Sequence, residues 1–169
     1  MEMKIVHIAL GTNLGNREHN LQQAIRLISE KIGTVSNCSP FYENEAQGFE
    51  TDELFLNGCI SVETALEPLP MLHILKEIEV SLGRVIKSNE NYSSRPIDLD
   101  IILFGNQIIN NIELEVPHPR FRDRLFVIKP LSDIDPDAID PISLKTMNEL
   151  LDLCQDISVL SFYELKARR

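Results

Sequence analysis

Two aspartates separated by one leucine, Asp98 and Asp100, sit inside an otherwise apolar run and are the residues best suited to chemistry. Alternate residues of a strand leave the same face, so both carboxylates project one way while Ile97, Leu99, Ile101 and Leu103 enter the core. At a rise of about 3.3 Å per residue the pair is roughly 6.6 Å apart along the backbone. Two anionic groups this close repel each other and call for a cation or a proton. Magnesium suits them, because it takes few carboxylates and keeps positions for water and substrate phosphates. Paired metals in phosphoryl-transfer sites lie about 3.5–4 Å apart, within reach of converging side chains. Alone, such a pair is more often two solvated residues on an edge strand. The preceding loop changes that reading, since Arg84, Lys87 and Arg95 bracket it and the planar arginine fork matches phosphate oxygens. Tyr92, the one aromatic residue there, either covers a flat ligand or packs locally.

A second group lies upstream. In Phe55–Thr64, alternation puts Leu56, Ile60 and Val62 on one face and Phe55, Asn57, Cys59 and Ser61 on the other. An aromatic face beside an amide suits a flat heterocycle with polar edges, although Phe-x-Asn alone is ordinary strand packing. His118, between Pro117 and Pro119, is either a turn residue or a donor to phosphate. His7, His19 and His73 show no partner pattern. Asp133, Asp135, Asp137 and Asp140 lack the glycine and terminal glutamate of a calcium loop and read as solvated turns.

The elements that must position these residues follow from periodicity. Lys4–Leu10 is a strand with Val6, Ile8 and Leu10 on one face, broken by Gly11-Thr12-Asn13-Leu14-Gly15-Asn16. Leu21, Ala24, Ile25, Ile28 and Ile32 recur at helical spacing, with Gly33 as the stop. Thr34–Tyr42 is a second strand and Phe55–Thr64 a third. A helix starts at Pro68 or Pro70, with Leu72, Leu75, Ile78 and Leu82 as its buried stripe. Ile97–Phe104 is the fourth strand. The order βαββαβ predicts an α+β, ferredoxin-like core: an antiparallel sheet with helices on one face. Short strands at 107–109 and 114–116, a Pro/Arg-rich turn, the apolar run Leu125–Leu131 and a short helix at Met147–Leu153 follow.

With 169 residues, 43% hydrophobic and 25% charged, the chain fits one domain over 1–169 whose core needs no disulfide or structural metal. Its net charge of -10 argues against nucleic acid, yet a local arginine cluster on an acidic body can still hold a polyphosphate. Cys38, Cys59 and Cys154 form no CxxC motif, and the first two read as small core residues of a reduced, cytoplasmic protein. No signal peptide or membrane-spanning run is expected.

The run Arg95-Pro96-Ile97-Asp98-Leu99-Asp100-Ile101-Ile102 resembles the signature of the 6-hydroxymethyl-7,8-dihydropterin pyrophosphokinases. So do Gly11–Gly15, Phe55-Leu56-Asn57, Leu82-Gly83-Arg84-Val85, Val116-Pro117-His118-Pro119 and Pro130–Ile134, in family order across roughly residues 5–141. The resemblance implies that Asp98 and Asp100 hold two magnesium ions bridging the ATP phosphates. It implies a pterin ring between Phe55 and Phe126, with Asn57 and Asp98 at its edge and Asn44, Glu45 and Gln47 lining its pocket. It places Arg84, Tyr92 and Arg95 over ATP, with Arg84 and Arg95 aiding catalysis. His118 and Arg124 would contact phosphate or ribose, and Glu79 and Ile101 would lie beside the nucleotide; for Glu79, pairing with a neighbouring basic group is an alternative. Thr12, Asn44, Asn91, Ser93 and Pro119 depart from common family residues, none of them at the metal or aromatic positions.

The implied reaction is attack of the pterin hydroxymethyl oxygen on the β-phosphorus of ATP, releasing AMP, in folate synthesis. No general base stands out, which suits catalysis by positioning and electrostatics. The expected partners are ATP and the pterin, with no nucleic acid and no membrane, and the protein is expected to be a monomer. The competing readings are a non-catalytic ferredoxin-like ligand-binding module and an RNA-binding domain of the same topology, the latter opposed by the acidic open face.

Overall fold

The computed structural model describes residues 1–47, 52–83 and 96–166. Arg84, Lys87, Tyr92 and Arg95, all expected near phosphate, lie outside them.

Strand β1 (Lys4–Thr12) is second from one edge of a six-stranded sheet, antiparallel to β5 (Asp98–Phe104) at that edge and to the central β4 (Phe55–Thr64) on its other side. Beyond β4 lie β2 (Thr34–Cys38) and β3 (Phe41–Asn44), which pair with its two halves. The second predicted strand is thus two. Ser39-Pro40 breaks it, because proline has no N–H for the ladder. The break is stitched to β4 by hydrogen bonds from Ser39 N to Cys59 O (2.9 Å) and from Cys59 N to Ser39 Oγ (2.8 Å). A small two-stranded sheet joins β6 (Ile109–Asn110) to β7 (Glu115–Val116). The outermost strand of the main sheet, β8 (Ser161–Tyr163), pairs with β3 and has no counterpart in the sequence pattern.

Helices α1 (Arg17–Lys31) and α2 (Pro68–Ser81) cover one sheet face. Val6, Ile8, Leu10, Leu56, Ile60 and Val62 pack there against Leu21, Ala24, Ile28, Leu75 and Ile78. The centre of the α2 stripe is Met71, with Leu72 and Leu82 at its margin. Gly33 is required by closeness rather than by helix termination: a Cβ there would lie 2.1 Å from the carbonyl oxygen of Glu63.

The opposite face corrects the one-sided expectation. Helix α3 (Leu125–Ile134) packs on it and helix α4 (Met147–Leu153) packs against α3, burying Cys59, Ile102, Leu103, Val127, Ile128, Leu131 and Met147 together. Strict alternation puts Leu103 beside Ile101, and the structure does not. A bulge in the β1–β5 register, where His7 faces Leu103 but Ile8 faces Ile101, inserts one residue and turns Leu103 to the second face. Cys59 is buried as expected, whereas Cys38 is exposed on its edge strand. His7 and His73 do find partners, Asp135 (3.0 Å) and Glu113 (2.9 Å).

Of the acidic run only Asp137 sits as expected, exposed in a turn. Asp133 accepts hydrogen bonds from Tyr42 and Lys129, Asp135 pairs with His7, and Asp140 is fully buried against Arg122. The Tyr42 and His7 contacts tie the end of α3 to the sheet, and the Asp140–Arg122 pair ties the following turn to the one before α3.

Candidate active site

Where α3 stops short of the strand ends, the second face of the sheet opens as a cleft. Its floor is set by register. Asp98, Gly11 and Asn57 lie in one row across β5, β1 and β4, and Asp100, Ala9 and Cys59 lie in the next. Directly opposed residues share a face, so the aspartates and Asn57 point into the same space, divided only by alanine and glycine. Asp98 and Asp100 both line the cleft and are half-buried, as their alternation predicts.

Gly11 keeps the floor low. A Cβ at this position would lie 2.8 Å from Asn57 Oδ1 and 3.9 Å from the Phe55 ring. The end of β1 and the first turns of α1 hold the entry of β5 in place. Thr12 Oγ1 donates to the carbonyl of Pro96, and Asn20 Nδ2 donates to the same oxygen at 3.1 Å. The opening motif therefore sets where the aspartate strand begins.

Asn57 is buried and donates through Nδ2 to Asn44 Oδ1 at 2.6 Å, and Asn44 in turn donates to Glu45 O at 3.0 Å. With one N–H given to Asn44, Asn57 presents its carbonyl oxygen over Gly11 as an acceptor. Phe55 from β4 and Phe126 from α3 line the cleft from two elements, and the Arg124 guanidinium sits 5.8 Å from the Phe126 ring centre. Asn44, Glu45 and Gln47 form the rim.

His118 enters from a third direction. Its backbone N–H is pinned to Ile102 O at 2.9 Å, directly after the cis Val116–Pro117 bond. Its Nδ1 accepts from the Arg120 N–H at 3.2 Å, which assigns the ring proton to Nε2. Burial lowers its pKa, Arg124 and Arg120 push it further down, Asp98 offsets part of this, and it comes to about 4. At neutral pH the imidazole is therefore an uncharged Nε2–H donor, not a cation.

Two expected residues do not line this cleft. Ile101 has its side chain in the core under α1 and α2, because its parity on β5 is opposite to that of the aspartates. Glu79 is buried on α2 and accepts from the Leu99 N–H at 2.9 Å, satisfying a donor of the sheet's edge strand. Ala9, Gly11, Ile102 and Val127 line the cleft without having been assigned a role from sequence; for the three strand residues, alternation with core residues was the available signal, and Val127 lies on α3. Among the described residues no cluster of three or more His, Cys, Asp or Glu could hold a metal unaided. The donor set nevertheless fits magnesium, which binds through one or two carboxylates and completes its shell with water and substrate phosphate.

Phosphate-type donors, paired carboxylates and an aromatic slot in one cleft are the equipment of a nucleotide-dependent transferase. The sequence model described as 7,8-dihydro-6-hydroxymethylpterin-pyrophosphokinase (HPPK) matches residues 7–136, and the chain belongs to that family. It is an ATP-dependent diphosphotransferase of folate biosynthesis, which sets aside the non-catalytic reading. A 2-amino-4-hydroxy-6-hydroxymethyldihydropteridine pyrophosphokinase of Porphyromonas gingivalis is 43% identical over 136 residues, 79% of this chain and 92% of that protein. The proteins of the same name from Bacillus subtilis and Aquifex aeolicus are 40% and 35% identical, over 77% and 87% of this chain and 77% and 90% of theirs. A crystal structure of Plasmodium falciparum HPPK-DHPS with pteroate aligns over 90% of this chain with a TM-score of 0.76 at 17% identity. That likeness concerns fold alone, and this chain spans 44% of the bifunctional protein. No helix among the described residues is long and apolar enough to cross a membrane.

Proposed function

We propose that the cleft binds the pterin and the ATP polyphosphate side by side, with the pterin on the Asn57 side and the phosphates between the aspartates and His118. The supporting observation is convergence: Asp98, Asp100, Asn57, Phe55, His118, Arg124 and Phe126 come from separate stretches of chain and line one space. Phe55 and Phe126 would hold the ring faces, and the Asn57 carbonyl would accept from a ring-edge donor. Neutral His118 would donate to phosphate through Nε2, and Arg124 would supply charge. Asp98 and Asp100 would hold magnesium, two ions on the family pattern, and the bound metal would neutralise charge building on the transferred group. Arg84, Arg95 and Tyr92 would complete the phosphate side. The chain's own contribution is then to align the hydroxymethyl oxygen with the β-phosphorus and exclude water.

We further read the chain as one ferredoxin-like domain over 1–169, a monomer working in the cytoplasm. The element order, with each β1 neighbour antiparallel, supports the topology. The test of the reaction is direct. With ATP, magnesium and 6-hydroxymethyl-7,8-dihydropterin, the protein should release AMP and the pterin diphosphate; ADP as product, or no turnover, would refute it.

Gly11→Ala tests the pterin side of the cleft. The added methyl meets the end of a side chain rather than backbone, so Asn57 swings away and loosens its bond to Asn44, at a cost of about 1 kcal/mol. The Tm should change by less than about 3 °C, equivalent to about 1 kcal/mol at this size. KM for the pterin should rise about tenfold, the loss of one well-placed hydrogen bond, with KM for ATP within twofold. An unchanged pterin KM would remove Asn57 from the slot.

A further inference from the structure

The chain beyond the family-matched segment 7–136 returns to the cleft. After α4 the backbone runs to Asp156 and then into β8, which zips onto β3, the strand that ends at Asn44. Asp156 is the point where two cleft walls meet. Its Oδ2 accepts from the backbone N–H of Leu125 at 2.9 Å and from Gln47 Nε2 at 3.1 Å. Its Oδ1 accepts from Ser158 N at 2.9 Å and from the Ser158 hydroxyl, and that hydroxyl also receives Gln47 Nε2 at 3.1 Å.

Each contact answers a need of its wall. Helix α3 begins without a side-chain cap of its own and without an acidic residue in its first turn, so its leading N–H groups and positive end lack a local partner. Asp156 supplies both from 31 residues away. Phe126 is the second residue of that helix, so the cap fixes the origin of one wall. Gln47 ends the described rim that starts at Asn44, so the same carboxylate fixes the other wall. Burial pushes the Asp156 carboxyl up, but hydrogen bonds from Ser158, Leu125 and Gln47 outweigh it and hold it below the usual range. It is a charged acceptor whenever the enzyme works.

We propose that Asp156 is a positioning residue for the pterin slot: it ties the Gln47 rim to the start of the Phe126 helix and so sets the spacing of the two walls. This rests on the reading of that slot as the pterin site. A tie of this kind acts on the acceptor rather than on ATP, because the aspartates and His118 are held by β1, β5 and Ile102, and Arg124 belongs to the turn that Arg122 anchors on Asp140.

The test uses the full chain with ATP, magnesium and 6-hydroxymethyl-7,8-dihydropterin. Asp156→Ala should raise KM for the pterin about tenfold, as small misplacements of positioning groups do, while KM for ATP stays within twofold. Gln47→Ala leaves the helix cap intact and should reproduce most of that rise. The double variant should be no worse than Asp156→Ala, since both cut one tie. Asp156→Asn, which keeps one amide oxygen as acceptor, should fall between wild type and alanine. A folded Asp156→Ala with a lower Tm and an unchanged pterin KM would reduce the residue to a helix cap and overturn the proposal. A parallel rise in both KM values would overturn it as well. If Asp156→Ala does not fold, an unchanged pterin KM in both Gln47→Ala and Asp156→Asn would overturn it in the same way. Asn57→Ala separates the two levels. If it leaves the pterin KM unchanged, the slot assignment has failed; if it raises KM and Asp156→Ala does not, only the tie has failed.

Discussion

Asp98→Ala and Asp100→Ala should each lower the rate of AMP formation about a thousandfold, with Tm held within about 3 °C of wild type. The size follows from what the carboxylates are asked to do. A magnesium ion on a transferring phosphoryl group stabilises the transition state by several kcal/mol, and a thousandfold loss corresponds to about 4 kcal/mol. Folding should tolerate the change because both side chains line a cleft rather than the packed core, and removing one of two neighbouring like charges relieves repulsion. Asn at either position keeps the shape and loses the charge, so it should be nearly as inactive. A readout besides turnover is metal binding: calorimetric titration of magnesium into the protein with a non-hydrolysable ATP analogue should weaken by at least tenfold in each variant. Activity retained within tenfold would remove the aspartates from the metal site.

The aspartate face was readable because strand alternation is local. Knowing that Leu99 is buried places Asp98 and Asp100 opposite it, and no tertiary information is needed. The same logic placed Phe55 and Asn57. It failed at Leu103, where a bulge depends on the partner strand and leaves no mark on the apolar pattern of β5. It failed again at α3, for a different reason. Pro130 sits inside that helix, buried, and proline in a helix interior removes one bond and argues locally for an end. Packing on the sheet overrides that cost, and the override is invisible in Leu125–Leu131 alone. The missing helix made the second sheet face look fully open, when the cleft is only the part that α3 leaves bare. Asp156 and β8 were hidden because a three-residue edge strand and a cap supplied from 31 residues away have no periodicity to detect.

The acidic run after α3 leads to the second large effect, on stability. Arg122→Ala should destabilise the protein by about 3 kcal/mol at pH 7, within the range seen when a buried ion pair loses one member. That corresponds to a Tm lower by about 9 °C at this chain length. Asp140 is fully buried and receives Arg122 through two parallel bonds, Nε to Oδ2 at 2.6 Å and Nη2 to Oδ1 at 2.8 Å. Ser143 Oγ (2.6 Å) and Ile142 N (3.1 Å) complete its shell. Burial alone would raise this carboxyl, but the bonds from Arg122, Ser143 and Ile142 outweigh it and bring the pKa from 3.8 to about 2. A depressed carboxyl contributes stability that is present above its unfolded value and lost as pH falls through its folded value. The contribution should therefore be whole above pH 3.8 and fade toward pH 2. Alanine at 122 strands the carboxylate and lets burial raise its pKa. The gap between wild type and variant should accordingly be widest at neutral pH and narrow as pH falls, first as Asp140 of the variant takes up a proton and finally toward pH 2 as that of wild type does. Urea melts at pH 7, 4 and 2.5 measure it. A gap that does not change with pH would mean that Arg122 acts through its stem and its stacking on Phe121, whose ring centre is 4.6 Å from the guanidinium carbon, rather than through charge. The pair also bears on the cleft, because Arg122 lies between His118 and Arg124 on the chain and is anchored on Asp140. Its bond to that residue holds the turn that carries the two cleft-lining groups, so loss of stability in the variant should be accompanied by a higher KM for ATP before any loss of pterin binding.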